Sequence, residues 1–160
     1  MIATVLGLAL ALTVSSSQTA PDPALKQRIE ALVQAIEPQV EDVPVTLAEQ
    51  VRRAQPQPLM LDVRSQAERT VSVIPGAIFD AESIPAGSRV VVYCTVGLRS
   101  GIVARELRQR GIDAVNLRGG ILAWLAAGGE LVDPQGQPTR AVHVYGRRWN
   151  AVPDNFKAVW

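Results

Sequence analysis

The chain has 160 residues, of which 48% are hydrophobic, and its 16 basic and 15 acidic residues leave a formal net charge of +1. This length and hydrophobic content suffice for one domain with a single core. The near-neutral charge gives no electrostatic reason for nucleic-acid binding, and three Trp, two Tyr and two Phe are too few to suggest a base-stacking platform. The composition therefore favours a globular domain that binds no nucleic acid.

Residues 1–20 are predicted to be a signal peptide. They contain the nearly unbroken apolar stretch Ile2–Val14, followed by small polar residues and Pro21. Its 13 residues are fewer than the roughly 20 that a transmembrane helix needs. No Lys or Arg precedes the stretch, which departs from the usual signal-peptide pattern. We expect export to the periplasm or secretion, with no stable membrane insertion after cleavage. An uncleaved membrane anchor or a buried N-terminal helix is the alternative.

Residues 21–44 are predicted to form a helical lead-in to the main domain. The periodicity over residues 24–37 indicates an amphipathic helix that ends before Pro38. This helix packs on the outside of the domain or covers a dimer contact, and the pattern does not determine the oligomeric state. Its apolar face comprises Leu25, Ile29, Leu32, Val33 and Ile36.

From residue 45 to residue 132, predicted strands alternate with predicted helices. This alternation is typical of an α/β fold in which helices cover both faces of a mostly parallel sheet. Thr46, with Glu49 three residues later, is expected to be the N-cap of a helix that continues to about Ala54. The predicted strands are 59–63, 78–79, 90–93 and 114–117. Two further helices are predicted. One follows Gly97 and ends at Gly111, and the other spans Ile121 to Ala127.

The stretch Arg89–Arg110 contains the strongest functional pattern. A β-branched run is followed by Cys94, the only cysteine of the chain, and a short loop leads into a helix. Such a turn directs backbone N–H groups and the positive helix end towards an anion, which favours the reactive thiolate. Arg99, a cation in the first helical turn, also indicates a bound anion. The alternative is an inert buried cysteine beside an ordinary turn glycine, Gly97.

Asp62 and Arg64 are candidates for substrate contact. They follow a predicted strand at its carboxyl end, where open α/β sheets bind their ligands. The structural interpretation, which we favour, is that they hold neighbouring loops by hydrogen bonds or pair with Glu68.

Cys94–Ser100 resembles the active-site loop of single-domain rhodanese-type sulfurtransferases. Three further segments agree in order and spacing, and the resemblance covers residues 45–132. It implies a single rhodanese-like domain in which the Asp62–Arg64 pair and the Gly119–Gly120 turn lie near the catalytic loop. Val73 replaces a histidine that is common in the family, which leaves the expected fold unchanged and the effect on activity open. The three segments are Leu61–Arg64 with Glu68, Ile74–Ala77, and Leu117–Gly120 with Trp124.

The loop and the resemblance together predict a thiosulfate-type sulfurtransferase. Cys94 is expected to take sulfur from a small anionic donor and to carry it as a persulfide to a thiol or cyanide acceptor, with no cofactor or metal. Arg99 is assigned a catalytic role beside Cys94, because its charge is expected to hold the anion. The predicted substrate-binding residues are Thr95, Val96, Gly97, Leu98, Ser100, Asp62 and Arg64.

Two other functions remain open for this pattern. One is a non-catalytic persulfide carrier or binding module, because a fold does not guarantee activity. The other is a phosphate or arsenate enzyme on the same fold, which the short loop from Cys94 to Arg99 disfavours because a larger oxyanion needs more room.

Residues 133–160 are predicted to be a C-terminal extension beyond the resemblance. Residues 133–142 are rich in Pro, Gly and Gln and are expected to form a linker or surface arm. The aromatic residues of the last eighteen positions are expected to clamp onto the domain, or alternatively to shape the pocket mouth or a partner site. No second His or Cys ligand accompanies His143 apart from Cys94, so a metal site is not expected. The aromatic and imidazole side chains are His143, Tyr145, Trp149, Phe156 and Trp160.

Overall fold

A computed structural model describes residues 22–160, and the predicted signal peptide lies outside them. The helices are α1 (Pro23–Ile36), α2 (Ala48–Arg53), α3 (Gln66–Arg69), α4 (Leu98–Gln109) and α5 (Gly120–Ala126). The strands are β1 (Val45–Thr46), β2 (Leu59–Asp62), β3 (Arg89–Tyr93), β4 (Asp113–Leu117), β5 (Leu131–Val132), β6 (Pro138–Thr139), β7 (Ala141–His143) and β8 (Lys157–Val159). Within residues 22–160, none of the helices has the length and hydrophobicity to span a bilayer.

The central sheet is parallel and has the order β1-β4-β3-β2. Val91 of β3 lies opposite Met60 on one side and Val115 on the other, which places β3 in the interior of the sheet. The carboxyl ends of the strands therefore meet along one edge, where Cys94 follows β3. This arrangement confirms the predicted α/β fold with a parallel sheet.

Helices cover both faces of this sheet because alternate side chains of β3 point in opposite directions. Val91 and Tyr93 belong to the apolar cluster that includes α1, α2 and α5. Val90 and Val92 belong to the second cluster, with Ala104 and Leu107 of α4. Burying each such aliphatic side chain contributes about 1.5–3 kcal/mol.

Helix α1 begins at an N-cap, Asp22, whose carboxylate accepts a hydrogen bond from the Ala24 N–H at 2.9 Å. Pro23 follows at the first helical position, where its missing N–H is not needed. The predicted amphipathic helix is confirmed, and it packs against α5. Its buried residues are Leu25, Ile29, Val33 and Ile36.

The predicted N-cap at Thr46 is wrong by one residue. Thr46 is still in β1, where it lies opposite Leu117, and Leu47 is the N-cap of α2. The Gln50 side chain reaches back and accepts a hydrogen bond from the Leu47 N–H at 3.0 Å. Pairing with β4 therefore extends the strand by one residue and delays the start of the helix.

The predicted strand at residues 78–79 is reduced to a single parallel bridge between Leu61 and Ile78. Ile78 exchanges backbone hydrogen bonds with β2, but Phe79 is 52% exposed and its ring lies 5.0 Å from the guanidinium of Arg69. The chain leaves the sheet at Phe79, so no regular strand forms.

Of the two predictions for residues 133–142, the linker is wrong, and the surface arm agrees with the exposed hairpin that they form. Strands β5 and β6 pair antiparallel, with Leu131 opposite Thr139, and β7 begins at Ala141. The Asp133 carboxylate accepts hydrogen bonds from the N–H groups of Gln135 and Gln137, at 2.9 Å and 2.8 Å. This side-chain bonding shapes the turn of a hairpin within a segment whose composition suggested a loop.

The last residues pack on the domain through a two-stranded parallel sheet formed by β7 and β8. Trp149 and Phe156 are buried and belong to the same cluster as α1 and α5, which confirms the predicted clamp for these two side chains. Tyr145 and Trp160 are 64% and 53% exposed, so they do not clamp onto the core, and the alternative of a pocket mouth or partner site still stands for them.

Candidate active site

Cys94 lies at the carboxyl end of β3, at the edge of the sheet, and is 1% exposed. Its backbone carbonyl accepts a hydrogen bond from the Ile121 N–H at 2.9 Å, and the Thr95 carbonyl accepts one from the Leu122 N–H at 3.3 Å. These two donors are in the first turn of α5, where helix N–H groups lack partners within the helix. The start of α5 therefore fixes the backbone of the loop Cys94–Ser100, the candidate catalytic loop.

The sulfur of Cys94 lies inside the curl of the loop, close to two hydrogen-bond donors. The Gly97 N–H donates to Sγ at 3.2 Å, and the Ser100 hydroxyl lies 3.4 Å from it. Gly97 has a φ of +117° and is the N-cap of α4, so the positive end of that helix faces the loop. The loop therefore directs a backbone N–H, a hydroxyl and a helix N-terminus towards the sulfur.

Asn116, which the sequence analysis did not identify, braces this loop from β4. Its amide nitrogen donates to the Gly97 carbonyl at 2.8 Å, and its amide oxygen lies 2.7 Å from the Ser100 hydroxyl. Because Ser100 has one hydroxyl proton, Asn116 and the Cys94 sulfur compete for it. The sequence signal that could have identified Asn116 is a polar residue within a predicted strand that is otherwise apolar.

Arg99 is paired with Glu68, and the hydrogen bond to Glu68 raises the pKa of Arg99, with Cys94 adding to that increase. Its two terminal nitrogens each lie 2.7 Å from a carboxylate oxygen of Glu68. The Thr95 hydroxyl joins the pair, at 3.2 Å from Glu68 and 3.1 Å from Arg99. The ion pair therefore ties the catalytic loop and the start of α4 to α3.

Glu68 is held ionised by this arrangement. Burial opposes its ionisation, but the hydrogen bonds from Arg99 and Ser65 outweigh burial and lower the pKa of Glu68 from 4.5 to about 2. Ser65 is the N-cap of α3, and its N–H donates to Glu68 at 2.9 Å. Glu68 thus joins a capping box to the catalytic loop.

We expect Glu68→Gln to lower the free energy of unfolding at pH 7 by about 2–3 kcal/mol, since the variant lacks the ionised partner of Arg99. A pKa that is depressed on folding stabilises the protein above the unfolded value and loses that contribution as pH falls from 4.5 towards 2. Denaturant unfolding at several pH values measures this, and the variant's stability is expected to depend less on pH in that window.

Glu82→Gln is the matched control for this prediction. Glu82 accepts a hydrogen bond from Arg110 at 2.9 Å, but its side chain is 76% exposed, so its loss is expected to cost less than about 1 kcal/mol. Equal pH dependence in the wild type and Glu68→Gln would contradict the assigned role of Glu68.

Asp62 and Arg64 pair with each other, not with Glu68. Arg64 lies 2.7 Å from the Asp62 carboxylate, and both side chains are 0% exposed. Asp62 also accepts a hydrogen bond from the Tyr93 hydroxyl at 2.7 Å, and Arg64 donates to the Ser72 carbonyl at 2.6 Å. The geometry agrees with the structural interpretation, because neither side chain reaches the surface from which a substrate would approach.

The Tyr93 hydroxyl connects this buried pair to the segment that follows Val73. It accepts a hydrogen bond from the Ile74 N–H at 3.1 Å. Burial, and next the charge of Asp62, raise the pKa of Tyr93 well above 10, so the hydroxyl keeps its proton. The corner around Val73 is therefore fixed from within the core.

The predicted site residues of the loop Cys94–Ser100 fall into two groups by exposure. The buried group contributes backbone N–H groups and the sulfur, and comprises Cys94, Thr95, Val96, Gly97 and Ser100. Leu98 and Arg99 are half-buried and mark the side of the loop nearest to solvent. Within residues 22–160, no cluster of three or more His, Cys, Asp or Glu side chains could hold a metal ion. The arrangement suits a cysteine nucleophile in an anion-stabilising loop.

Sequence comparison relates this chain to sulfurtransferases. It is 38% identical over 87 residues to a sulfurtransferase of Allochromatium vinosum, covering 49% of this chain and 81% of that protein. It is 42% identical over 72 residues to the tRNA sulfurtransferase of Desulfurococcus amylolyticus, covering 42% of this chain and only 15% of that protein.

Comparison with solved structures also finds sulfurtransferase and rhodanese-related proteins. The thiosulfate sulfurtransferase from Pseudomonas aeruginosa is similar with a TM-score of 0.53 and 27% identity, covering 69% of this chain and 23% of that one. A rhodanese-related protein from Thermoplasma volcanium shares the fold, with a TM-score of 0.52 and 24% identity over 56% of this chain and 97% of that one. These relatives support sulfur transfer in general. The rhodanese-like domain family matches residues 44–127, more than half of the sequence, and the chain belongs to that family.

Proposed function

We propose that this protein transfers sulfane sulfur from a small anionic donor, such as thiosulfate, to a thiol or cyanide through a persulfide on Cys94. The observation that carries the proposal is the donation of the Gly97 N–H to the Cys94 sulfur at 3.2 Å, at the positive end of α4. Donors at this position stabilise the thiolate before reaction and an anionic persulfide after it.

In the first half-reaction, the Cys94 thiolate attacks the outer sulfur of thiosulfate. The bond between the two sulfurs of thiosulfate breaks, and sulfite leaves with the bonding electron pair. The new bond joins Cys94 to the transferred sulfur, which keeps the negative charge. The Gly97 N–H, which contacts the Cys94 sulfur, lies beside this charge.

In the second half-reaction, an acceptor thiolate or cyanide attacks the outer sulfur of the persulfide. The sulfur–sulfur bond to Cys94 breaks, and Cys94 leaves as a thiolate, ready for the next donor. The enzyme alternates between two covalent states, so steady-state kinetics are expected to be ping-pong.

The short loop supports sulfur over phosphate chemistry here, because a larger oxyanion needs more room. Both terminal nitrogens of Arg99 contact Glu68, which ties the loop to α3. The loop from Cys94 to Arg99 is short, and its Gly97 N–H contacts the sulfur itself. We assign Arg99 the role of holding the loop in its curled form.

Intact-mass measurement tests the proposal. Thiosulfate is expected to add one sulfur, about 32 Da, to the purified protein, and cyanide is expected to remove it. Cys94→Ala is the control and is expected to show no gain, because it lacks the nucleophile. No gain in wild-type protein with a free thiol and a folded structure would exclude thiosulfate as the donor.

The rate of the second step separates an enzyme from a persulfide carrier. An enzyme is expected to return to the starting mass within seconds of cyanide or thiol addition, since typical kcat values are 1–1000 per second. A protein that loads sulfur but releases it only over hours would be a carrier, and this outcome would contradict catalysis.

Export is a second proposal, which rests on the apolar stretch Ile2–Val14. N-terminal sequencing of protein from separated cell fractions tests it. A mature chain that begins after Ser17 or Ala20 in the exported fraction is expected. An intact N-terminus in the membrane fraction would instead indicate an anchor.

A further inference from the structure

Tyr145 brings an aromatic ring from the C-terminal extension to the catalytic loop. Its ring lies over the guanidinium of Arg99, with 4.9 Å between the guanidinium carbon and the ring centroid. This distance is within the range of a cation–π contact. Tyr145 lies outside residues 44–127, so the family match does not account for it.

The segment around Tyr145 is anchored on both sides. Val144 is fully buried and Trp149 is 9% exposed. The Tyr145 N–H donates to Nδ1 of His143 at 3.0 Å, and the Gly146 N–H donates to the Val144 carbonyl at 2.8 Å. The ring, which is 64% exposed, is therefore presented from a rigid base.

The backbone of Tyr145 is strained. Its φ is +69°, and among residues 22–160 every other positive φ belongs to a glycine. Glycine would adopt this conformation without strain, whereas a residue with a Cβ does so at a cost. The backbone alone gives no reason for a tyrosine here, but the contact of its ring with Arg99 does.

Tyr145 also lies beside the most exposed part of the loop. Cys94 is 1% exposed, and within the loop from Cys94 to Ser100 only Leu98 and Arg99 are partly exposed. Glu68 binds the edge of the Arg99 guanidinium, and Tyr145 covers its face. The Tyr145 ring therefore flanks the side of the loop that is most open to solvent.

The charge beside this ring is positive. Arg147 and Arg148 are exposed, and they stack on Trp160 and Trp149 at 5.2 Å and 4.3 Å. Within the described part of the chain, neither arginine is in an ion pair. Residues 140–160 contain four Lys or Arg and one Asp. The surface next to Tyr145 therefore suits a group with carboxylates.

Building on the proposed sulfur transfer, we propose that Tyr145 determines which acceptor the persulfide serves. Its exposed face packs against the body of an anionic thiol larger than cyanide, whose carboxylates face Arg147 and Arg148. The acceptor thiolate attacks the outer sulfur of the Cys94 persulfide, the bond to Cys94 breaks, Cys94 leaves as a thiolate, and the acceptor becomes a persulfide.

The test compares acceptors on protein already loaded with sulfur. Loading uses thiosulfate or inorganic polysulfide, so the comparison does not depend on the donor, and failure with thiosulfate alone counts only against the proposed donor. Transfer is then timed to glutathione, to uncharged 2-mercaptoethanol and to cyanide. The variants are Tyr145→Ala, Tyr145→Gly and Tyr145→Phe. Phe79→Ala is the control, since Phe79 is also an exposed ring over an arginine, Arg69.

Tyr145→Ala is expected to raise KM for glutathione about tenfold, because the packing surface is lost, and to change transfer to cyanide by less than about twofold. Tyr145→Phe keeps the ring and is expected to behave like the wild type, as is Phe79→Ala. Equal losses with glutathione and cyanide, or no loss with either, would overturn the inference.

Tyr145→Gly separates recognition from structural support. Glycine relieves the strain at φ +69° and removes the ring, so Tm is expected to stay equal or rise while KM for glutathione rises as in Tyr145→Ala. A lower Tm together with equal losses for all three acceptors would show that Tyr145 only supports the fold.

Discussion

Gly120→Ala is expected to lower the free energy of unfolding by more than about 3 kcal/mol and to slow persulfide formation at least tenfold. A Cβ at this position would lie 2.4 Å from the Cys94 carbonyl oxygen and 2.6 Å from that of Thr95. Gly120 also has a φ of +53°, which L side chains rarely adopt.

The clash is severe because its partners are backbone atoms of the catalytic loop. The same two carbonyls accept hydrogen bonds from Ile121 and Leu122, so the loop cannot retreat without breaking them. Any folded Gly120→Ala protein is expected to hold the Cys94 sulfur away from the Gly97 N–H and the Ser100 hydroxyl. Denaturant unfolding and the rate of the thiosulfate-dependent mass gain measure the two effects.

Gly136→Ala is the matched control. Gly136 has a φ of +76° in the hairpin turn, and a Cβ there would meet nothing within 4 Å. Only the backbone conformation is penalised, so the expected cost is about 1–2 kcal/mol, with no change in persulfide formation. Equal destabilisation by the two substitutions would show that α5 does not approach the loop this closely.

Asp62→Ala is expected to lower the free energy of unfolding by about 3–5 kcal/mol, because it leaves the Arg64 charge buried without its partner. Both side chains are 0% exposed, so water cannot replace the lost carboxylate. The Tyr93 hydroxyl, which donates to Asp62, loses its acceptor as well. Denaturant unfolding at pH 7 measures the loss.

Asp113→Ala removes an exposed carboxylate from the amino end of β4 and serves as the control. Asp113 is 53% exposed and lies 3.4 Å from Arg108 and 3.9 Å from Arg89, so its expected cost is below about 1 kcal/mol. A stability of Asp62→Ala within 1 kcal/mol of this control would mean that the buried pair contributes no more than a surface pair.

Much of the architecture follows from local patterns in the sequence. The β-branched run before Cys94 predicts a buried strand, and the period of α1 predicts which of its faces is covered, because both patterns arise within one element. Errors occur where another element decides the outcome. Pairing with Leu117 extends β1 through Thr46, and the chain leaves the sheet at Phe79.

The candidate site divides in the same way. A cysteine followed by a glycine N-cap and a helix is a local signal, so the sequence by itself determined where the candidate nucleophile and its loop lie. The family resemblance had placed the Gly119–Gly120 turn near this loop. Its other partners lie far along the chain, and only the tertiary structure decided that Glu68 neutralises Arg99, that Asn116 braces Ser100 and that Tyr145 covers Arg99. These contacts depend on which strand and helix ends lie together at one edge of the sheet. Spacing along the chain does not specify how close those ends lie in space.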